Sequence, residues 1–349
     1  MEKNKKELVF KILNTISVLI VVFIFTKYYL GFPEREINHV QLLITILVLT
    51  FFTRTIGIKQ GINIYARAIL IGVGGALLVG AIYTLIGIDV KNDYIAYAIT
   101  LPITEEIAKL LPVLLSAYVM YKTNGIPPNL SDWLLMGIIS GVAFGMCEDF
   151  YKGDLLDMCW NCNMHYGIHI GNLYLFPEAL GYFTMTDGWD YNGYIGHGAA
   201  TGLIAATIGL GIFLKRMKGV KYLWWIIPLV GFSWITFEHM GKNSYEAGRN
   251  ADLSLFTNIF VTLGGGTSTP WIMLAIVVLV IGIDVSLMGI AIRKSKMLKG
   301  LVTESAKRIK EFFANKKIPS YKFVKALSKN LRFLNRSAWY NYLYNNNQK

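Results

Sequence analysis

Residues 195–214 read IGHGAATGLIAATIGLGIFL, an apolar run with a single histidine, His197, near its start and no charged side chain. A stretch of about 20 apolar residues matches the hydrocarbon thickness of a bilayer when helical. Seven further segments of this kind flank it: Leu8–Leu30, Val40–Thr53, Ala68–Ile88, Tyr94–Tyr121, Trp133–Phe150, Tyr222–Phe237 and Trp271–Ile292. Together they predict an all-α fold, a polytopic transmembrane helix bundle of about eight spans. Composition agrees: of 349 residues, 54% are hydrophobic and only 16% are charged. An ordinary soluble domain is about 25% charged. A disordered chain, a collagenous one and a disulfide mini-scaffold are excluded on the same grounds.

Loop charges give the orientation, because basic loops stay in the cytoplasm. Lys3, Lys5 and Lys6 precede the first span, which reads as a retained anchor because no small-residue cleavage site follows it. Arg54, Lys59 and Arg67 mark the second loop, and Lys215, Arg216, Lys218 and Lys221 the sixth. The third loop, Asp89 to Asp93, and the long loop 151–190 are acidic. Eight spans put all the basic loops on one side and both termini in the cytoplasm.

The chain divides into residues 1–92 with three spans, a core over 93–245 including the loop 151–190, a last loop and span over 246–292, and a tail over 293–349. That tail holds 15 Lys/Arg against two acids, Glu304 and Glu311, while the whole chain is only +12. Phe312, Phe313, Phe323, Leu327, Leu331 and Trp339 interleave with the basic residues. This predicts one or two amphipathic helices on the cytoplasmic face, with anionic lipid headgroups as partner. No nucleic-acid-binding signature is present. The oligomeric state is not encoded in any recognisable pattern.

Small residues recur every four positions: Gly72/Ala76/Gly80, Gly137/Gly141/Gly145 and Gly198/Gly202/Ala206. Such stripes let helix backbones approach closely, so they predict tight packing rather than chemistry.

Chemistry resides in the charges within the spans, which are costly there and default to functional or paired roles. The fourth span holds Glu105, Glu106 and Lys109, the fifth ends in Glu148 and Asp149, the sixth opens with His197, and the seventh ends with Glu238 and His239. Glu148, His197 and His239 fall at the extracytoplasmic ends of their spans. Glu105 lies about 16 Å below Tyr94 on a regular helix, but Pro102 can break the helix start and raise it. Glu105 and Lys109 are spaced i, i+4 and can pair, with Glu106 about 100° away. Carboxylates and imidazoles suit a divalent metal such as zinc, or can activate water directly for attack on a carbonyl. An ion-pair network and a proton or ion pathway use the same residue types.

In order, the motifs are Glu105-Glu106-Ile107-Ala108-Lys109, Phe144-Gly145-Met146-Cys147-Glu148, His197-Gly198-Ala199-Ala200-Thr201 and His239-Met240-Gly241-Lys242-Asn243. This order resembles the PrsW family of intramembrane metalloproteases and, more remotely, the superfamily of CAAX prenyl proteases and bacteriocin-processing enzymes. The match runs from about Ile103 to Asn243. At position 148 the prenyl proteases tend to have histidine, so Glu148 favours the PrsW-like branch. The resemblance implies a peptidase in a bacterial cell membrane that cuts a membrane-tethered protein or peptide. It implies Glu105 as general base, with Glu106 a ligand or second acid. Glu148, His197 and His239 would bind zinc or orient water. Asn243 would donate to the oxyanion, and Lys109 would neutralise the acids and hold Glu105. A metal-free glutamate mechanism with histidine as partner is the alternative within it.

Outside these motifs, Cys159 and Cys162 with His165 and His169 read as a disulfide or small structural metal site in the outer loop. Asp284 reads as a second polar contact, Gly264-Gly265-Gly266 as a flexible connection. Two other functions use the same features: a transporter with the acids as an ion path, or a scaffold working through the tail and outer loop.

Overall fold

The computed structural model describes residues 58–89, 93–124, 127–156, 167–170, 173–177, 196–215, 217, 220–247, 259–260, 262–264, 269–314, 325–327, 329–334 and 336–338. The expected spans Leu8–Leu30 and Val40–Thr53 lie outside these residues, as do Cys159, Cys162 and His165.

The architecture is helical. In chain order the long helices are α1 (Ile58–Leu85), α2 (Leu101–Asn124), α3 (Leu130–Leu156), α4 (His197–Leu214), α5 (Leu223–Ala247), α6 (Thr269–Lys294) and α7 (Lys296–Ala314). Each of the six expected spans from Ala68 onward meets one of α1 to α6. Two of these helices, over His197–Leu214 and Ala275–Lys294, contain windows long and apolar enough to cross a membrane. Helix α1 begins ten residues before the expected Ala68, so Lys59 and Arg67 belong to a helix and not to a loop. Ile64 and Ala66 are buried, and their packing carries the helix through this more polar stretch.

Local chemistry explains the ends. Gly87 has φ +72°, and Ile88 N–H donates to Tyr83 O at 2.9 Å while Gly87 N–H donates to Thr84 O at 3.2 Å. That pair of bonds is a Schellman cap, which glycine enters without a Cβ penalty. Asp93 starts the next element by accepting from Ala96 N–H at 3.0 Å, as an N-cap aspartate does. Helix α3 opens on a reciprocal cap: Asp132 N–H donates to Asn129 Oδ1 at 2.8 Å and Asn129 N–H to Asp132 Oδ2 at 3.2 Å. Asp284 of α6 adds a third acceptor there, taking Ser131 N–H at 2.7 Å. The expected polar contact of Asp284 is thus to backbone at a helix start.

Helices α3 and α4 form the centre of the bundle. A Cβ built at Gly137 would meet Gly202 Cα at 2.7 Å, and one at Gly141 would meet Gly198 Cα at 2.8 Å. Two small-residue stripes therefore face each other and set the backbones close together. In the first stripe Gly80 is exposed, and a Cβ there would meet nothing within 4 Å. Around the α3–α4 seam lie Leu134, Ile138, Val142, Leu203 and Ile235, with Val277 and Val280 of α6. In the outer loop, Gly167–Ile170 pairs antiparallel with Leu173–Pro177, a two-stranded hairpin where only a loop was expected. The Gly171-Asn172 dipeptide between the strands is a hairpin signal.

Candidate active site

A short π-helix, Ala96–Thr100, runs directly into α2. Single π turns inside α-helices recur at functional sites, because the extra residue re-aims everything after it. The next two turns of α2 carry Glu105, Glu106 and Lys109. Glu106, Lys109 and His239 are essentially fully buried, and His197 keeps 9% of its surface accessible.

The strong pairing of Lys109 is with Glu106, three residues away, at 2.6 Å; Glu105 Oε2 is 3.9 Å off. Lys109 thus meets both acids, and the expected i, i+4 contact with Glu105 is the longer of the two. The acid that α2 turns inward takes the ammonium, and that acid is Glu106. Glu105 keeps 14% of its side chain accessible. The same Glu106 Oε1 lies 2.9 Å from His239 Nδ1 on α5. The other nitrogen of that ring, Nε2, is 3.6 Å from Glu105 Oε2. Both acids therefore meet one histidine, from opposite sides of its ring.

His197 enters from α4. It is the first helical residue after Gly196, whose φ of +82° makes the turn into the helix. Its Nδ1 is 2.8 Å from Lys109 Nζ. The two imidazole centroids are 5.8 Å apart. Phe144 of α3, which opens the second motif, has its ring centroid 5.5 Å from that of His197 and 4.9 Å from Lys109 Nζ. The motif Phe144–Glu148 singles it out in the sequence, but spacing assigns no role to the phenylalanine itself. Helix α3 carries Glu148 one turn beyond, with its side chain outside the described residues.

Asn243 stands one turn beyond His239, but its Nδ2 donates to Tyr97 O in the π turn at 3.1 Å. The neighbouring Ser244 Oγ shares a hydrogen bond with Tyr94 OH at 2.5 Å. These two bonds clasp α5 to the start of α2 and set the height at which His239 meets Glu106. An oxyanion donor at Asn243, as expected, would have to act with an amide already engaged in this clasp.

Tautomers follow from the partners. A carboxylate only accepts, so His239 Nδ1 is the N–H toward Glu106, and in the neutral ring Nε2 carries the lone pair. A ligating histidine shows this same arrangement, with Nδ1–H on a carboxylate and Nε2 toward the metal. His239 and Glu105 thus suit a divalent ion, while Glu106 stands behind His239 and His197 is turned onto an ammonium. Among the described residues no three His, Cys, Asp or Glu side chains converge on one point. Of the expected set, Glu106 lies on His239 Nδ1 and His197 on Lys109, while the Glu148 side chain lies outside the described residues. No protein-family model, curated protein or solved structure matches this chain, so the chemistry of the cluster itself has to carry the functional reading.

Proposed function

We propose that this chain is a PrsW-like intramembrane peptidase that hydrolyses peptide bonds of membrane-tethered proteins or peptides near the extracytoplasmic face. The reading includes eight spans with cytoplasmic termini. The observation that carries it is the buried Glu106–His239 pair, with His239 Nε2 3.6 Å from Glu105 Oε2. A carboxylate behind an imidazole holds the ring in one tautomer and stabilises the imidazolium that forms when the ring takes a proton. Water hydrogen-bonded to His239 Nε2 and Glu105 would lose its proton to this pair as it attacks the carbonyl. His239 then returns the proton to the leaving amine. Lys109 holds Glu106 ionised and aimed, at 2.6 Å. A divalent ion such as zinc, if held by Glu105, Glu148 and His239, would activate the water by Lewis acidity in place of this proton transfer, since His239 Nε2 would then be a ligand and not the base.

In this reading the tail meets anionic headgroups. Part of the apolar side of α7 is covered by its own chain, with Leu298 packed on Ala291, Leu334 and Ala338, while Met297 stays exposed. Lys307 and Arg308 remain exposed, in ion pairs with Glu311 and Glu304.

The test is cleavage of a library of single-span reporter proteins co-reconstituted with the purified chain in liposomes. Glu105→Gln and His239→Ala should each abolish cleavage while the protein stays folded. Cleavage at the wild-type rate in both would end the proposal, as would ion flux without proteolysis. Metal content of wild type against His239→Ala decides whether zinc belongs to the site.

A further inference from the structure

We propose that Ser140 is a positioning residue for the candidate site: by holding the Lys109 carbonyl, it fixes on α3 the turn of α2 that presents Lys109 to Glu106 and His197. The catalytic half of this rests on the peptidase reading above; the placement half does not.

The inference starts from a weak turn. Pro112 lies inside α2. Its ring has no N–H for the Ala108 carbonyl and crowds it, so α2 lacks one rung beside Lys109. Within a bilayer, turns loosened in this way are held by hydroxyls of neighbouring helices. A lysine stem is a flexible chain of four carbons, so its ammonium is only as well placed as the backbone that carries it.

Ser140 supplies the hold. It is fully buried on α3, and its Oγ–H donates to Lys109 O at 2.6 Å, between residues 31 apart. A hydroxyl inside a helix ordinarily bonds its own helix three or four residues back. Thr207 and Thr236 do so, to Ile204 O at 2.7 Å and Phe232 O at 2.8 Å. Ser140 crosses to another helix instead, and to the carbonyl of Lys109 itself.

The next residue of α3 holds the other partner. Gly141 backs onto the His197 backbone, where a Cβ would meet the carbonyl carbon at 2.6 Å. Ser140 and Gly141 thus register α2 and α4 on one peptide unit, which is planar and stiff. The separation of Lys109 Nζ from His197 Nδ1, 2.8 Å, is set across that unit. Phe144, one turn further along α3, covers Lys109 Nζ at 4.9 Å. With none of its surface accessible, Ser140 does not touch a substrate. It acts on the reaction through Lys109, which aims Glu106 from 2.6 Å.

The Lys–Leu dipeptide occurs once in the sequence, at Lys109-Leu110. Labelling the full chain with ¹³C-carbonyl lysine and ¹⁵N-leucine, in lipid nanodiscs, therefore gives one NMR carbonyl signal, that of Lys109. A carbonyl carbon moves upfield when it loses a hydrogen bond. Ser140→Ala should move the signal upfield, and Ser140→Thr, which keeps the hydroxyl, should restore it. Ser116→Ala is the control, since this buried serine of α2 has no described hydrogen-bond partner at its hydroxyl, and the signal should stay in place. If Ser140→Thr does not fold, Ser140→Cys, a weaker donor, should fall between wild type and Ser140→Ala. An unmoved signal in folded Ser140→Ala overturns the inference. The role is read from a cleaved single-span reporter. Ser140→Ala should lower kcat about 10–10²-fold, as a small misplacement of a reacting group does, with KM little changed. Ser140→Thr should recover most of the loss, and Ser116→Ala should cleave at the wild-type rate. A wild-type kcat in Ser140→Ala, or a loss that falls on KM, rejects the positioning role. Absence of cleavage by the wild type rejects the peptidase reading instead, and the carbonyl signal then decides the placement alone.

Discussion

Gly141→Ala puts the link between packing and chemistry to its most direct test. The added methyl would point at the first residue of α4, where its Cβ would lie 2.6 Å from the His197 carbonyl carbon and 2.8 Å from Gly198 Cα. Carbon atoms rest in contact near 3.5 Å, so the two helices must part by at least about 0.9 Å to clear the carbonyl carbon, and further to clear the still nearer His197 carbonyl oxygen. Overpacking of this kind costs about 1–3 kcal/mol. The functional cost should be larger than the structural one. The Lys109–His197 contact of 2.8 Å would open beyond the roughly 3.2 Å limit of a good N–H···N bond. Misplacing a reacting group by about 1 Å commonly costs on the order of 10²-fold in rate. Gly282→Ala in α6 is the control, since a Cβ there meets nothing within 4 Å. The assay pairs thermal unfolding in detergent with reporter cleavage in liposomes. Gly141→Ala should unfold several degrees lower and cleave far more slowly, and Gly282→Ala should do neither. Wild-type stability and rate in Gly141→Ala, or equal damage from Gly282→Ala, would show that the α3–α4 seam does not position His197.

Asp284→Ala should cost about 1–3 kcal/mol by leaving Ser131 N–H buried without its acceptor, read as a lower unfolding midpoint, with Asp284→Asn milder because it keeps an acceptor. Tyr94→Phe and Asn243→Ala should lower kcat in parallel and non-additively in the double variant if the clasp on the π turn sets His239 against Glu106; a large loss in Asn243→Ala alone would return Asn243 to the oxyanion. Replacing Lys307, Arg308 and Lys310 by Gln should weaken stabilisation of the full chain by anionic over zwitterionic nanodiscs. At about 1 kcal/mol per basic residue near the surface, the loss is about 3 kcal/mol at low salt, and it should shrink as salt is added.

How much of this was legible in the sequence depends on the range of the physics involved. Helix positions were, because hydropathy is a local sum: the expected run Trp271–Ile292 falls inside Thr269–Lys294, and Ile195–Leu214 differs from His197–Leu214 only at its start. The extra turns of α1 before Ala68 were not, because Lys59, Gln60 and Arg67 lower the local sum while the helix is held by burial of Ile64 and Ala66. The membership of the charged cluster was legible too. Glu105, Glu106, Lys109, His197 and His239 stand out as ionisable groups in apolar runs, whatever they contact.

Their pairing was a different matter. Spacing along α2 permits Lys109 to reach Glu105 at i, i+4 or Glu106 at i, i+3, and the two are close in local energy. What separates them is which flank of α2 meets α5, and that is settled by Asn243 reaching Tyr97 and Ser244 reaching Tyr94, partners 146 and 150 residues apart. The same holds for His197. Its nitrogen meets Lys109, 88 residues away, only because Gly141 and Gly145 let α4 come close enough. A stripe of glycines read as packing alone is therefore also what decides the orientation of the histidine, and with it which ring nitrogen meets the lysine. In this cluster, backbone contact at the α3–α4 seam is the upstream cause and placement of the imidazole the consequence, so packing and chemistry there are one constraint and should fail together.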